Sequence, residues 1–122
     1  MTHATFELNG KPVSIEWTGS AARALAARSR PLVVELELYF SCLVKKFVHF
    51  HDDAAGRATQ PVTDKLRVYF RAVTSTACTM DVAERLGRQP EIELDTAAAR
   101  KLAPKRMRLD YVKNEWQAAF WM

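Results

Sequence analysis

The sequence predicts an α+β fold. Its core is a strongly curved, mostly antiparallel sheet with two long strands, about 32–50 and 65–80, packed on a short alanine-rich helix and flanked by N- and C-terminal hairpins. Three observations carry this reading. Val34, Leu36, Leu38, Phe40, Cys42, Val44, Val48 and Phe50 keep an even-numbered apolar phase, broken only by Lys46. Glu35, Glu37, Tyr39, Ser41, Lys45, His49 and His51 hold the odd positions, with Leu43 and Phe47 as apolar members. Leu66, Val68, Phe70 and Ala72 alternate with Arg67, Tyr69 and Arg71 in the same way. Period two sends successive side chains to opposite faces of a sheet. The third observation is the alanine-rich run Ala21–Arg28, a strong helix former closed by Pro31.

Each element has a local signal. Asn9-Gly10 between Ala4–Leu8 and Pro12–Trp17 predicts a hairpin, because both residues tolerate the positive φ of a tight primed turn. Thr18-Gly19-Ser20 supplies hydroxyl caps for the helix. From Pro31 to His51 no Gly, Asn or Asp interrupts the chain. It reads either as one very long strand or as two strands joined by a bulge or phase-preserving turn near Ser41-Cys42. A single strand over 32–50 would span roughly 60 Å at ~3.3 Å per residue, against a domain diameter of about 35–40 Å, so it must coil, bend or project. Residues 51–64 read as a loop punctuated by Asp52, Asp53, Gly56, Pro61 and Asp64, which brings the two long strands together as an antiparallel pair. Asp81-Val82-Ala83-Glu84 has capping-box spacing, with Gly87 as terminator. Glu91–Leu94 is a short strand candidate, Asp95-Thr96 caps a helix over Ala97–Ala103, and Lys113-Asn114 joins the last hairpin.

At 122 residues and 48% hydrophobic content, the chain reads as a single domain, 1–122, with an independent core. Eighteen basic and 14 acidic residues leave a charge of +4, compatible with an anionic partner without demanding one. The N-terminus has no charged and apolar leader pattern, and no apolar run approaches the ~20 residues of a membrane span. A cytoplasmic protein without a membrane partner is the expectation. Cys42 and Cys78, without C-x-x-C spacing, read as free buried thiols, with a disulfide as the alternative.

No nucleophile elbow, glycine-rich phosphate loop or H-E-x-x-H motif appears, so no reaction is specified and no cofactor is expected. His49-Phe50-His51-Asp52-Asp53 is the sharpest chemical pattern. H-x-H on a strand places two imidazoles on one face, competent for a divalent metal with a third ligand such as Glu35, Glu37 or Asp110. The bland alternative is a solvated strand end. Arg67, Tyr69 and Arg71 share a face that suits an anionic ligand or stacked bases, or simply pairs across strands with Glu35 and Glu37. Arg100, Lys101, Lys105, Arg106 and Arg108 form a basic cluster, read as a phosphate patch or as cations at a helix C-terminus.

The leading expectation is a binding or interaction domain, homo-oligomeric through apolar surface at Val33, Leu43, Phe47 and Trp121, with no catalytic residue. Its binding face is Glu37, Tyr39, His49, Arg67, Tyr69 and Arg71, for a small anionic ligand rather than nucleic acid. The alternatives are a metal-binding protein or metal-dependent enzyme using His49 and His51, and RNA binding on the sheet face.

Overall fold

Strand alternation in this chain builds two sheets that share one core. A computed structural model describes residues 1–40, 44–75, 91–94 and 96–122. In chain order the strands are β1 (Thr2–Leu8), β2 (Lys11–Trp17), β3 (Leu32–Phe40), β4 (Val44–His51), β5 (Gln60–Thr63), β6 (Leu66–Ser75), β7 (Glu91–Glu93), β8 (Arg106–Val112) and β9 (Glu115–Trp121). The helices are α1 (Gly19–Ala26) and α2 (Ala97–Arg100). One sheet runs β1-β2-β8-β9; the other runs β4-β3-β6-β5, with β7 also on β6. Most pairings are antiparallel, and β2·β8 and β3·β6 are parallel. The α+β class and the two terminal hairpins follow the sequence.

The hairpins obey their turn residues. Asn9 and Gly10 take φ of 53° and 75°, and Lys113 and Asn114 take 52° and 63°. Two consecutive left-handed residues give the primed turn that matches strand twist. Thr18 caps α1 by accepting from the Ala21 N–H at 3.2 Å. Thr96 caps α2 in the same way, and that helix stops at Arg100 rather than Ala103.

The long alternating run is two strands. Phe40 pairs with Val44, Leu38 with Lys46 and Val34 with Phe50, so even faces even across an antiparallel ladder. Three intervening residues preserve the phase, which is why the sequence alone shows no break. Folding back brings each strand to about 30 Å, within a small domain's diameter. Two expectations are corrected here. The strand that meets β6 is β3, and they run parallel, with Val34 opposite Val68 and Glu35 opposite Tyr69. Residues 60–63, read as loop, form β5; Pro61 is tolerated because β5 is an edge strand.

The core lies between the sheets. Val13, Ile15, Met107 and Leu109 from one sheet meet Leu32, Val34, Leu36, Leu66 and Val68 from the other, and Ala21 and Leu25 of α1 join the same cluster. Each fully buried aliphatic side chain contributes roughly 1.5–3 kcal/mol by leaving water. The alternation puts Phe70 with Val68 on the core side, where almost full burial is expected; it is only partly buried and packs edge-on against Phe120 at 6.4 Å. Val33, expected to contribute exposed apolar surface, is buried within the subunit. The continuation of the second strand past Ser75, the capping box at 81–84, Leu43, Cys42 and Cys78 lie outside the described residues.

β3 is buried on both faces. Its even residues enter the core, while Val33, Glu35, Glu37 and Tyr39 on the opposite face are also nearly inaccessible. Leu36→Ala should therefore destabilise the fold by about 2–5 kcal/mol, and Phe70→Ala should cost less than Leu36→Ala, below the ~3–5 kcal/mol typical of a fully buried phenylalanine. Urea denaturation of the two variants checks this order, and Phe70→Ala proving the costlier would contradict it.

Candidate functional site

The outer face of the five-stranded sheet gathers the chain's most concentrated chemistry. Parity explains the grouping. Glu35 and Glu37 on β3, His49 and His51 on β4, and Tyr69 and Arg71 on β6 are all odd-numbered, and both ladders keep odd opposite odd. The connection over 52–59 leads from β4 to β5 at the other end of the sheet, and its Arg57 guanidinium sits 4.8 Å from the Tyr69 ring centroid.

Glu35 is the centre of this face, with 5% of its surface exposed. Tyr69 Oη donates to its Oε1 at 2.7 Å, His51 Nε2 lies 2.8 Å from the same oxygen, and Arg71 Nη1 donates to Oε2 at 3.1 Å. Burial alone would raise its pKa, because a carboxylate loses hydration. The hydrogen bonds from Tyr69, His51 and Arg71 outweigh that, and hold it below the ordinary glutamate value of 4.5. Tyr69 responds in the opposite sense. Burial and the bond to an ionised carboxylate both disfavour its phenolate, so its hydroxyl stays a donor.

Around this centre the contacts loosen. Glu37, also 5% exposed, lies 3.6 Å from His49 Nε2 and 3.5 Å from Arg71 Nη1. Those distances allow charge attraction and exceed good hydrogen-bond length. Glu93 on β7 takes a fork from Arg57, at 2.7 and 3.1 Å. That pairing holds the Glu93 carboxyl below its usual range and raises Arg57 further. An aromatic row runs along the face: Tyr39–Phe47 at 6.2 Å, Phe47–His49 at 6.4 Å, His49–His51 at 6.5 Å and His51–Tyr69 at 6.4 Å.

The candidate binding residues thus share a face, in different states. Arg67 turns to the connection, donating through Nε to Thr59 Oγ1 at 2.6 Å. Arg71 bridges Glu35 and Glu37. Both guanidiniums of the expected anion platform are therefore engaged by the protein itself. Tyr39 and Tyr69 are buried, and His49 and His51 are the accessible members, with 45% and 41% of their side chains exposed. Asp110, considered as a third metal ligand, belongs to β8 of the other sheet and accepts from Thr18 Oγ1 at 2.7 Å. In the basic cluster, Arg106 pairs with Glu16 at 3.2 Å and stacks 4.5 Å from the Trp121 centroid. Sequence reasoning underrated Glu35 as the centre of the face and missed Arg57 and Glu93. The odd parity of Glu35 was a usable signal; a loop residue reaching across a sheet leaves none.

A buried carboxylate held by three donors has a definite acid signature. Its depressed folded pKa contributes stability that is present above the unfolded glutamate value and lost as pH falls through the folded value. Glu35→Gln should destabilise by about 1–3 kcal/mol at pH 7, and the gap from the parent should close as pH drops below 4.5. Tyr69→Phe should cost about 1.5–3 kcal/mol at neutral pH by removing a donor to a charged group. Chemical denaturation between pH 3 and 8 measures both, and a Glu35→Gln gap that widens in acid would contradict the assignment.

Comparison with known protein families, curated proteins and solved structures finds no match to this chain, so the functional reading rests on the geometry of this face and its edge.

Proposed function

We propose that this chain is a non-catalytic interaction domain that accepts an extended, acidic segment of a partner protein along the edge of β4. One observation carries the reading. Among the described residues β4 pairs only with β3, so its eight residues form a sheet edge that carries exposed Val44 and Phe47. A free edge displays a row of backbone donors and acceptors, and an added strand is the partner that satisfies them. The side chains select its charge: β4 holds Lys45 and Lys46, and no acidic residue. Phe47 offers an apolar contact, with its ring flanked by Tyr39 and His49.

A second copy of β4 brings no acidic residue to Lys45 and Lys46, whereas an acidic segment complements them. Phe47 and Trp121, the accessible apolar residues that suggest oligomerisation, belong to different sheets. The non-catalytic part of the reading rests on Glu35, whose lowered pKa and three donors suit a fixed charge better than a proton acceptor.

Light scattering on the eluting chain, followed by titration with an extended peptide alternating Glu and Val, tests this. The expected result is a monomer that binds the peptide, weakens with salt, and loses at least about tenfold affinity in the double variant Lys45→Glu, Lys46→Glu. A dimer dissolved by that double variant would replace the partner with a second copy. A monomer indifferent to the peptide would remove the proposal.

A further inference from the structure

The edge at β4 has a second feature, on the side turned away from the polar face. β9 ends the four-stranded sheet as β4 ends the five-stranded one, and these two end strands pack against each other. Between them lies a crease of about 270 Å³, lined by Lys46 and Val48 of β4 and by Ala118, Phe120 and Trp121 of β9. We propose that this crease seats one large apolar side chain of the acidic segment added to β4, and so selects which segments bind. The inference rests on strand addition and names the anchor residue that the partner must supply.

Alternation decides which of the segment's side chains reach the crease. On β4, Val48 and Phe50 pack towards the core, so the odd residues Lys45 and Phe47 take the opposite face. A strand laid beside β4 continues both faces, because paired residues point to the same side. Every second residue of the segment therefore projects over the crease, beside Lys46 and Val48. The residues between them meet Lys45 and Phe47. An acidic residue suits the second set, and hydrocarbon suits the first.

Lys46 shapes the crease. Its Nζ donates to the Phe120 carbonyl at 3.2 Å and lies 5.9 Å from the Phe120 ring centroid, so its aliphatic stem crosses from one sheet to the other. The Trp121 carbonyl accepts from the Lys105 N–H on the β8 side, at 2.7 Å. Successive carbonyls of a strand alternate in direction, which aims that of Phe120 at the free edge of β9. Lys46 thus covers part of the β9 edge and leaves β4 as the edge for addition. Among the described residues no carboxylate lines the crease, so nothing there repels a segment rich in acid.

The test uses the full chain and two extended peptides that alternate Glu with Ala, identical except that one carries Phe at its central Ala position. Calorimetric titration should show the Phe peptide binding at least about tenfold more tightly. Ala118→Leu fills the crease and should remove that difference. If circular dichroism shows that variant misfolded, Trp121→Ala, at a position 39% exposed, opens one wall and should shrink the difference instead. A 4-iodophenylalanine at the central position should quench the tryptophan fluorescence of the parent, and less so that of Trp121→Phe. Equal affinities for the two peptides would overturn the anchor while leaving strand addition in place. Failure of both peptides to bind would remove strand addition and the anchor with it. A Phe preference that survives in every folded crease variant would place the side chain elsewhere and also overturn the proposal.

Discussion

The outer face of the five-stranded sheet depends on one constraint: a glutamate that remains charged while almost out of water. Removing a carboxylate from solvent is costly, and the cost is offset only when donors replace its hydration. Glu35 receives that replacement from three directions, the Tyr69 hydroxyl, the His51 ring and the Arg71 guanidinium. Each donor comes from a strand that neighbours β3, so the hydrogen bonds also fix the alignment of β4 and β6 against it. A slip of one residue in either ladder would move its donor to the core side and leave the charge unpaired. Polar satisfaction on one face and aliphatic packing on the other therefore specify the same register.

This double specification explains why β3 can be central. A strand buried on both faces usually reads as a continuous apolar run. Here the alternation remains, because the second face is buried around an ionic network rather than around hydrocarbon. Tyr39, Tyr69 and Val73 supply apolar surface beside the charges. Arg57 closes over Tyr69 from the connection at 52–59 and is itself anchored by Glu93 of β7. The network thus joins β3, β4, β6, β7 and one connection. The accessible part is left at its β4 margin, where His49, His51 and Phe47 meet solvent.

Much of this was legible in the residues. Period-two alternation identified β3, β4 and β6, and parity alone placed Glu37, Tyr39, His49, Arg67, Tyr69 and Arg71 on one side. Asn9-Gly10 and Lys113-Asn114 located the hairpins, and Thr18 and Thr96 located the helix starts. What was not legible has physical causes. A three-residue connection conserves phase, so the division of the 32–50 run left no mark in the pattern. Parallel and antiparallel neighbours satisfy the same alternation, so the direction of β6 relative to β3 had no local signal. Arg71 reads in sequence either as a cation for an anionic ligand or as a cross-strand partner of Glu35 and Glu37. The contacts of Arg71 with both buried carboxylates are those of the second reading.

The register of the sheet and its charged outer face both depend on the ionisation of Glu35, and a carboxyl-carbon NMR titration of that residue in the intact chain measures it directly. Selective labelling with assignment through Glu35→Gln separates its resonance from those of the other glutamates. Three donors outweighing burial predict a midpoint below 4.5, the ordinary glutamate value. A midpoint above 4.5 would mean that burial wins over the hydrogen bonds. Glu35 would then be an ordinary buried acid, and neither the register it helps to fix nor the charged margin beside β4 would follow.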